Sequence, residues 1–247
     1  MKVNLQLSVI FIVSCFLFFT VAVTCVLAQS PPASPLDPIT KNPEKTALLL
    51  LHFQNQLLKF KAGVSDYAPK LRELVKKAGT VENAQAALKA SREKGILVAF
   101  VRLAYRPGHP ELPSQEELLP RRRRMRDKQL YVDGTWNTEV VDEVKPLKNE
   151  IVVNNTSLSA FMVNDLDFIL RSHNIRYLVL AGITTQHITT GTVIGAYNRG
   201  YYTFVLGDCC HGFTQEGHDY HLKKIFPSYS IVTDSKQYIT ALDKIKK

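Results

Sequence analysis

Cysteine is nearly absent from the part of this chain built to fold. Of four in 247 residues, Cys15 and Cys25 sit in an apolar N-terminal run, and the other two, Cys209 and Cys210, are neighbours. Adjacent cysteines bridge only through a strained ring, so a disulfide framework is excluded even where the compartment permits one. There is no CxxC and no HExxH. The histidines, at 52, 109, 173, 187, 211, 218 and 221, are scattered apart from the 218/221 pair. That pair is read as a surface feature rather than as two metal ligands, and neither a metal nor a cofactor is expected.

Acidic residues are in the minority. Asp and Glu number 22 against 31 Lys and Arg, a formal net charge of +9. Much of the excess lies in "PRRRRMRDK", Pro120 to Lys128. No aromatics interleave with it and no nucleic-acid-binding motif accompanies it, so nucleic acid is not an expected partner. The run is read as a solvated loop, with a processing-protease site and an anion-binding patch as open alternatives.

What is present is a large apolar fraction, 45%, enough for a substantial core. The opening stretch, "MKVNLQLSVIFIVSCFLFFTVAVTCVLA", carries one lysine, a long apolar run and a small-residue ending, as a secretory signal cleaved after Ala28 does. Its removal takes away Lys2 and no acid, so the mature chain stays basic. The competing reading is an uncleaved anchor, since the run from Leu7 to Ala28 is close to the ~20 residues that span a bilayer. Either way the protein is expected to be secreted or to face a secretory lumen, with membrane contact only if the segment is retained. Residues 29–44 form a proline-rich leader expected to lie extended on the surface, and the domain is expected over 45–247.

Within the domain, short apolar runs alternate with helical patterns. Strands are expected at 46–53, 96–103, 150–155, 177–182, 201–208 and 230–234. Helices are expected at 66–93, at 163–174 with Asn164 as a cap, from the junction after 182 to about Gly200, at 216–225 and at the C-terminus. Residues 104–138 lack periodicity and are too long for an ordinary connection, which marks a lid or an interface loop. Six strands interleaved with helices imply a single α/β domain. Its form is three-layer α/β/α, with a largely parallel six-stranded sheet covered on both faces and ligands at the carboxyl ends of the strands.

One such end is "GITTQHITTGT", residues 182–192, a strand running into a helix start. α/β enzymes often place a nucleophile at such a junction, yet it holds neither cysteine nor serine. Together with "ALLLLHFQN", "SAF" followed by "NDLDFILRSHNI", "LVLAGITT", "GAYNRGY" and "VLGDCCHGFTQEGHDYHLKKIFP", it resembles the isochorismatase-like family of cysteine hydrolases, which includes nicotinamidases. The resemblance runs from about Lys45 to Asp234.

That resemblance implies an aspartate at the end of the first strand, a lysine just before "SAF", and a cysteine six residues after the glycine of the fourth strand. The acid takes the thiol proton, the lysine supports the charge arrangement, and the thiolate attacks a carbonyl whose oxyanion rests on helix-start N–H groups. Carried onto this chain, the three positions are His52, Asn155 and Ile188. Isoleucine has no nucleophilic atom, asparagine cannot carry the lysine's charge, and only His52 remains suited to proton transfer. The resemblance further implies pocket positions at Phe161, Thr184, Thr185 and His187, a cis peptide at Ile183-Thr184, and a homo-oligomer.

Two sequons overlap at Asn154-Asn155-Thr156-Ser157. Asn155 is expected to line the pocket, where a glycan has little room, so Asn154 is the expected acceptor, if either is used. Three functions follow from these residues: a pocket retained for a small-molecule ligand without the ordinary hydrolase activity, an altered hydrolase using His52 as base, or an interaction module built on Arg121 to Arg126.

Overall fold

A computed structural model describes residues 34–112 and 119–245. The expected signal and its two cysteines fall outside the described residues. Among the described residues no helix is long and apolar enough to cross a membrane.

The elements follow in the order α1 (Asp37–Lys41), β1 (Thr46–Leu51), α2 (Asn55–Leu58), α3 (Pro69–Ala78), α4 (Thr80–Glu93), β2 (Leu97–Leu103), α5 (Pro120–Asp127), β3 (Ile151–Asn155), α6 (Leu166–Ser172), β4 (Tyr177–Ile183), a π-helical turn (Thr185–Thr189), α7 (Thr190–Tyr197), β5 (Tyr202–His211), α8 (Gln215–Tyr220), β6 (Ile231–Thr233) and α9 (Ser235–Asp243). The six strands form one sheet in the order β3-β2-β1-β4-β5-β6, and every neighbouring pair is parallel. β1 and β4 are the central strands, and their carboxyl ends meet where Leu51 faces Gly182.

Side chains alternate across each strand, and the two sides of β1 go to different cores. Leu48 and Leu50 join Leu71, Val75, Ala87, Leu88, Tyr238 and Leu242 of α3, α4 and α9. Ala47, Leu49 and Leu51 join Leu166 and Leu170 of α6 and Val193 and Ala196 of α7. The architecture is the expected three-layer α/β/α sheet with helices on both faces.

Several local expectations need correction. The second half of the leader is not extended: Asp37–Lys41 is helical, Ile39 is fully buried, and the compact unit that holds the sheet runs from Leu36. The helical region expected at 66–93 is two helices, because Gly79 takes φ +65° and turns the chain between them. The N-cap of α6 is Asp165, not the expected Asn164, which stands one residue earlier and accepts the Leu166 N–H on its Oδ1 at 3.0 Å.

The arginine run is not a loop. Residues 120–127 form α5, opened by Pro120, with Met125 buried and Arg122 to Arg124 exposed. Arg126 turns inward and donates from Nη2 to the carbonyls of His109 (3.1 Å) and Leu112 (2.8 Å). The aperiodic segment around it is docked by Leu112, Leu130 and Tyr131, all buried. A 3.6-residue pattern has little to show in a helix with a single buried residue.

Candidate active site at the carboxyl ends of the central strands

Immediately after β1, His52 adopts φ +57° while its N–H donates to the Val101 carbonyl at 2.8 Å. This left-handed turn lifts the chain out of the sheet and sends the imidazole across β2 towards β3. There His52 Nε2 lies 3.1 Å from Oδ1 of Asn155, the last residue of β3. The amide's other end fixes the proton positions: Asn155 Nδ2 donates to the carbonyls of Ser157 (3.2 Å) and Ser159 (3.0 Å). Oδ1 must therefore accept, Nε2–H of His52 donates, and the neutral ring keeps its lone pair on Nδ1.

Both residues are buried, His52 at 5% and Asn155 at 1% exposure. Burial pushes the His52 pKa down to about 4; the Asn155 bond works against this, and the charges of Arg121 and His187 push it further down. His52 is thus a neutral imidazole across the physiological range. It is unprotonated but weakly basic, because burial disfavours the imidazolium and its partner Asn155 is a neutral amide rather than a carboxylate.

β4 delivers the third position. The Ile183-Thr184 peptide is cis, and Thr184 opens the π-helical turn that merges into α7. Ile188, on that turn, is fully buried in the core shared by Leu51, Val153 and Phe161. A Cβ on Gly191 would run into the Leu158 carbonyl, so the helix start lies hard against the 157–159 loop that holds Asn155. Thr192 Oγ1 ties the same two segments by accepting the Ala160 N–H at 3.1 Å.

The threonines of the junction mostly serve this scaffold. Thr185 is buried with Oγ1 2.8 Å from His218 Nδ1, and Thr190 donates to the Thr185 carbonyl at 2.7 Å. Thr184 alone pairs with a residue nearer the surface: its Oγ1 lies 2.9 Å from Nδ1 of half-buried His187. Burial, with the charges of Arg121 and His221, lowers the His187 pKa to about 4.

The cysteine nearest the junction is no substitute nucleophile. Cys210 on β5 is buried, accepts the Gly182 N–H on Sγ at 3.3 Å, and is pushed by burial to about 12. It is a protonated thiol with its sulfur already engaged. Cys209 and Cys210 are both free.

Other expected positions fall differently. Phe161 is committed to packing, stacked on Tyr201 at 5.6 Å with the Arg199 guanidinium 5.0 Å from its ring centre. His218 is not the surface residue expected. It is buried, stacked on His211 at 4.9 Å and 4°, while His221 Nδ1 lies 2.7 Å from the Gly217 carbonyl. Asn154 bonds Arg102 (3.0 Å) through Oδ1 and Asp133 (3.1 Å) through Nδ2.

Sequence reasoning missed an aromatic arc at the same end of the sheet. His187 meets Phe213 edge-on at 5.7 Å, Phe213 meets Tyr67 at 6.5 Å, and Tyr67 meets Tyr131 at 6.2 Å. It also missed Arg121, half-buried at the start of α5, whose charge acts on His52, His187, Tyr105 and Tyr131. These residues come from the loops after β1, β2, β4 and β5, and no local pattern announces that they converge.

Comparison with known proteins places the architecture. A model of the isochorismatase domain matches residues 46–237. The ureidoacrylate amidohydrolase RutB of Rhizobium rhizogenes is 30% identical over 216 residues, covering 82% of this chain and 86% of that enzyme. Among solved structures, a cysteine hydrolase from Pseudomonas syringae pv. phaseolicola superposes with a TM-score of 0.70 at 19% identity, covering 89% of this chain and all of that one. N-carbamoylsarcosine amidase from Thermoplasma acidophilum gives 0.59 at 23% identity, over 77% and 96%. With its six parallel strands in this order and a family match across nearly the whole folded unit, the chain belongs to the isochorismatase family of hydrolases.

Proposed function

We propose that this family member keeps its site as a binding pocket for a small molecule and has lost thiol-dependent hydrolysis. The observation that carries this reading is Ile188. On the turn after β4, where the family resemblance puts the attacking sulfur, stands a fully buried hydrocarbon side chain. The chemistry around it is consistent with that loss. The acid position is a neutral imidazole, the lysine position is an amide with every hydrogen bond internal, and Cys210 is held as a thiol. Groups of a catalytic unit act together, so loss of all three forfeits more than residual geometry can restore.

The ligand class is drawn from two observations: an aromatic arc suits a flat molecule, and the ureidoacrylate amidohydrolase RutB points to a small ureido compound. The N-terminal 28 residues support a secreted location. A second reading rests on the Thr184–His187 contact at 2.9 Å, in which the hydroxyl replaces the thiol and His187 takes its proton. A base with a pKa of about 4 is poorly matched to that task at neutral pH, which favours the binding reading.

The deciding measurement is turnover of ureidoacrylate, N-carbamoylsarcosine and nicotinamide by the purified chain, with His52→Ala and Thr184→Val variants beside it. No turnover is expected. Hydrolysis that disappears in either variant overturns the binding reading and names the replacement base or nucleophile. Activity gained by the combined His52→Asp, Asn155→Lys and Ile188→Cys variant would show that the pocket is otherwise whole.

A further inference from the structure

We propose that His211 and His218 form an acid-sensitive clasp: stacked face to face they hold shut the loop that carries Phe213, and in mild acid that loop opens and takes Phe213 out of the aromatic arc. Release of a ligand by this movement rests on the binding reading above; the opening itself does not.

His211 is the last residue of β5, in register with Ile183 of β4, and His218 lies on α8. Their rings stack at 4.9 Å and 4°, and both residues are buried, at 2% and 6% exposure. The stack joins the two ends of a short loop, residues 212–217, in which Phe213 stands. Phe213 reaches the arc through His187 at 5.7 Å and Tyr67 at 6.5 Å.

Hydrogen bonds seat both rings as neutral imidazoles. His211 Nδ1 lies 2.9 Å from the Gly212 carbonyl, so it carries the proton and donates it there. His218 Nδ1 lies 2.8 Å from the hydroxyl of Thr185, on the turn that follows the cis peptide. A Cβ on Gly212 or Gly217 would strike the Gln186 carboxamide, so the loop rests closely on that same turn. α8 itself has six residues, too few to hold its own shape without such docking.

The neighbours of the pair do not neutralise an added proton. Ile183 and Thr185 are uncharged, and His187, from the π-helical turn, faces Phe213 instead. Asp219, next to His218, is engaged by Gln215 at 2.7 Å and Lys223 at 3.3 Å. His221, just after α8, has its Nδ1 2.7 Å from the Gly217 carbonyl. A proton on one ring therefore places a charge in a dry site, and a second sets two cations face to face. Burial, with His211 beside it, lowers the His218 pKa to about 4, against about 6.5 for an exposed histidine. The open loop takes up a proton that the closed one refuses, so opening is favoured as the pH falls below about 6.5, by about twentyfold between pH 7 and pH 5 for His218 alone.

Hydrogen exchange of the full chain, read by mass spectrometry at pH 7 and pH 5 and corrected for intrinsic exchange, follows the opening with no ligand present. Peptides within 207–222 should lose at least about twentyfold in protection at pH 5 while those of β1 and β4 keep theirs. His218→Asn leaves Thr185 a hydrogen-bond partner and does not titrate, so it should cancel about tenfold or more of that loss. His211→Phe keeps a ring in the stack without a second charge and should lessen the loss. Full protection of 207–222 at pH 5 overturns the clasp, as does a loss shared equally by β1 and β4, which is general unfolding. A loss undiminished in His218→Asn also overturns it, and one undiminished in His211→Phe leaves His218 acting alone, which refutes the pair. Should His218→Asn fail to fold, judged by its thermal melt, His218→Phe takes its place under the same criterion.

Discussion

At the scale of single residues, the His52–Asn155 pair shows how a site can change its chemistry and stay ordered. An asparagine at the end of β3 serves three partners at once, accepting from His52 and donating to the carbonyls of Ser157 and Ser159. Asn155→Ala strands an imidazole N–H and two carbonyls in a buried place, a cost of about 3 kcal/mol once partial rehydration is allowed. Urea denaturation should show that loss, and an unchanged midpoint would mean that the amide is not a strut. The imidazole itself reports the local field. Burial is the main cause of its depressed pKa and Arg121 adds to it. Removing that positive charge in Arg121→Gln should raise the His52 pKa above 4, read from the pH dependence of its ring proton resonances. A fall, or no movement, would place the guanidinium elsewhere. The sequence disclosed the identities at 52, 155 and 188 through family spacing. It could not disclose Arg121, because one arginine among five differs from the rest only in the direction the helix gives it.

At the scale of elements, the strands were legible because each is a short apolar run bounded by turn residues, and the structure moves their ends by only a few residues. What the pattern hid were breaks inside helical stretches. Gly79 and Gly191 show two different reasons for glycine. A Cβ at Gly79 meets nothing within 4 Å, so only its left-handed φ of +65° demands glycine, whereas a Cβ at Gly191 collides with the Leu158 backbone. Gly79→Ala should therefore cost about 1 kcal/mol, a local conformational penalty. Gly191→Ala forces apart the turn after β4 and the loop that seats Asn155, an overpacking cost of about 2 to 3 kcal/mol or more. Thermal melts of the two variants should rank in that order. The reverse ranking would show that the loop yields easily and that the site's two halves are not rigidly coupled. The leader and α5 were illegible for a related reason. Each is a short helix with a single buried residue, Ile39 in one and Met125 in the other, too few to print a period on the sequence.

At the scale of the whole molecule, parallel topology was readable from the alternation of strands and helices. Convergence of four loops on one end of the sheet was not, because contacts between residues far apart in sequence leave no local trace. The same convergence buries imidazoles. His52, His187 and His218 all have pKa values lowered to about 4, in each case first by burial. For His218 the stacked His211 adds to the effect, and Asp219 opposes it. In the unfolded chain these histidines titrate near 6.5, so between pH 6.5 and 4 the unfolded state takes up protons that the folded state refuses. Stability should therefore be full above pH 6.5 and fall as the pH drops through that window, by about 1 to 2 kcal/mol per histidine at pH 5. The carboxylates Glu111, Glu143 and Glu150, held below the usual 4.5 by hydrogen bonds to basic side chains that outweigh their partial burial, add their loss only at lower pH. Urea midpoints measured at pH 7 and pH 5 separate the two groups. A marked drop is expected for the wild type and a smaller one for His218→Asn, which removes a buried proton acceptor. Equal midpoints at the two pH values would mean that the imidazoles are hydrated, and that the carboxyl end of this sheet is more open than its packing implies.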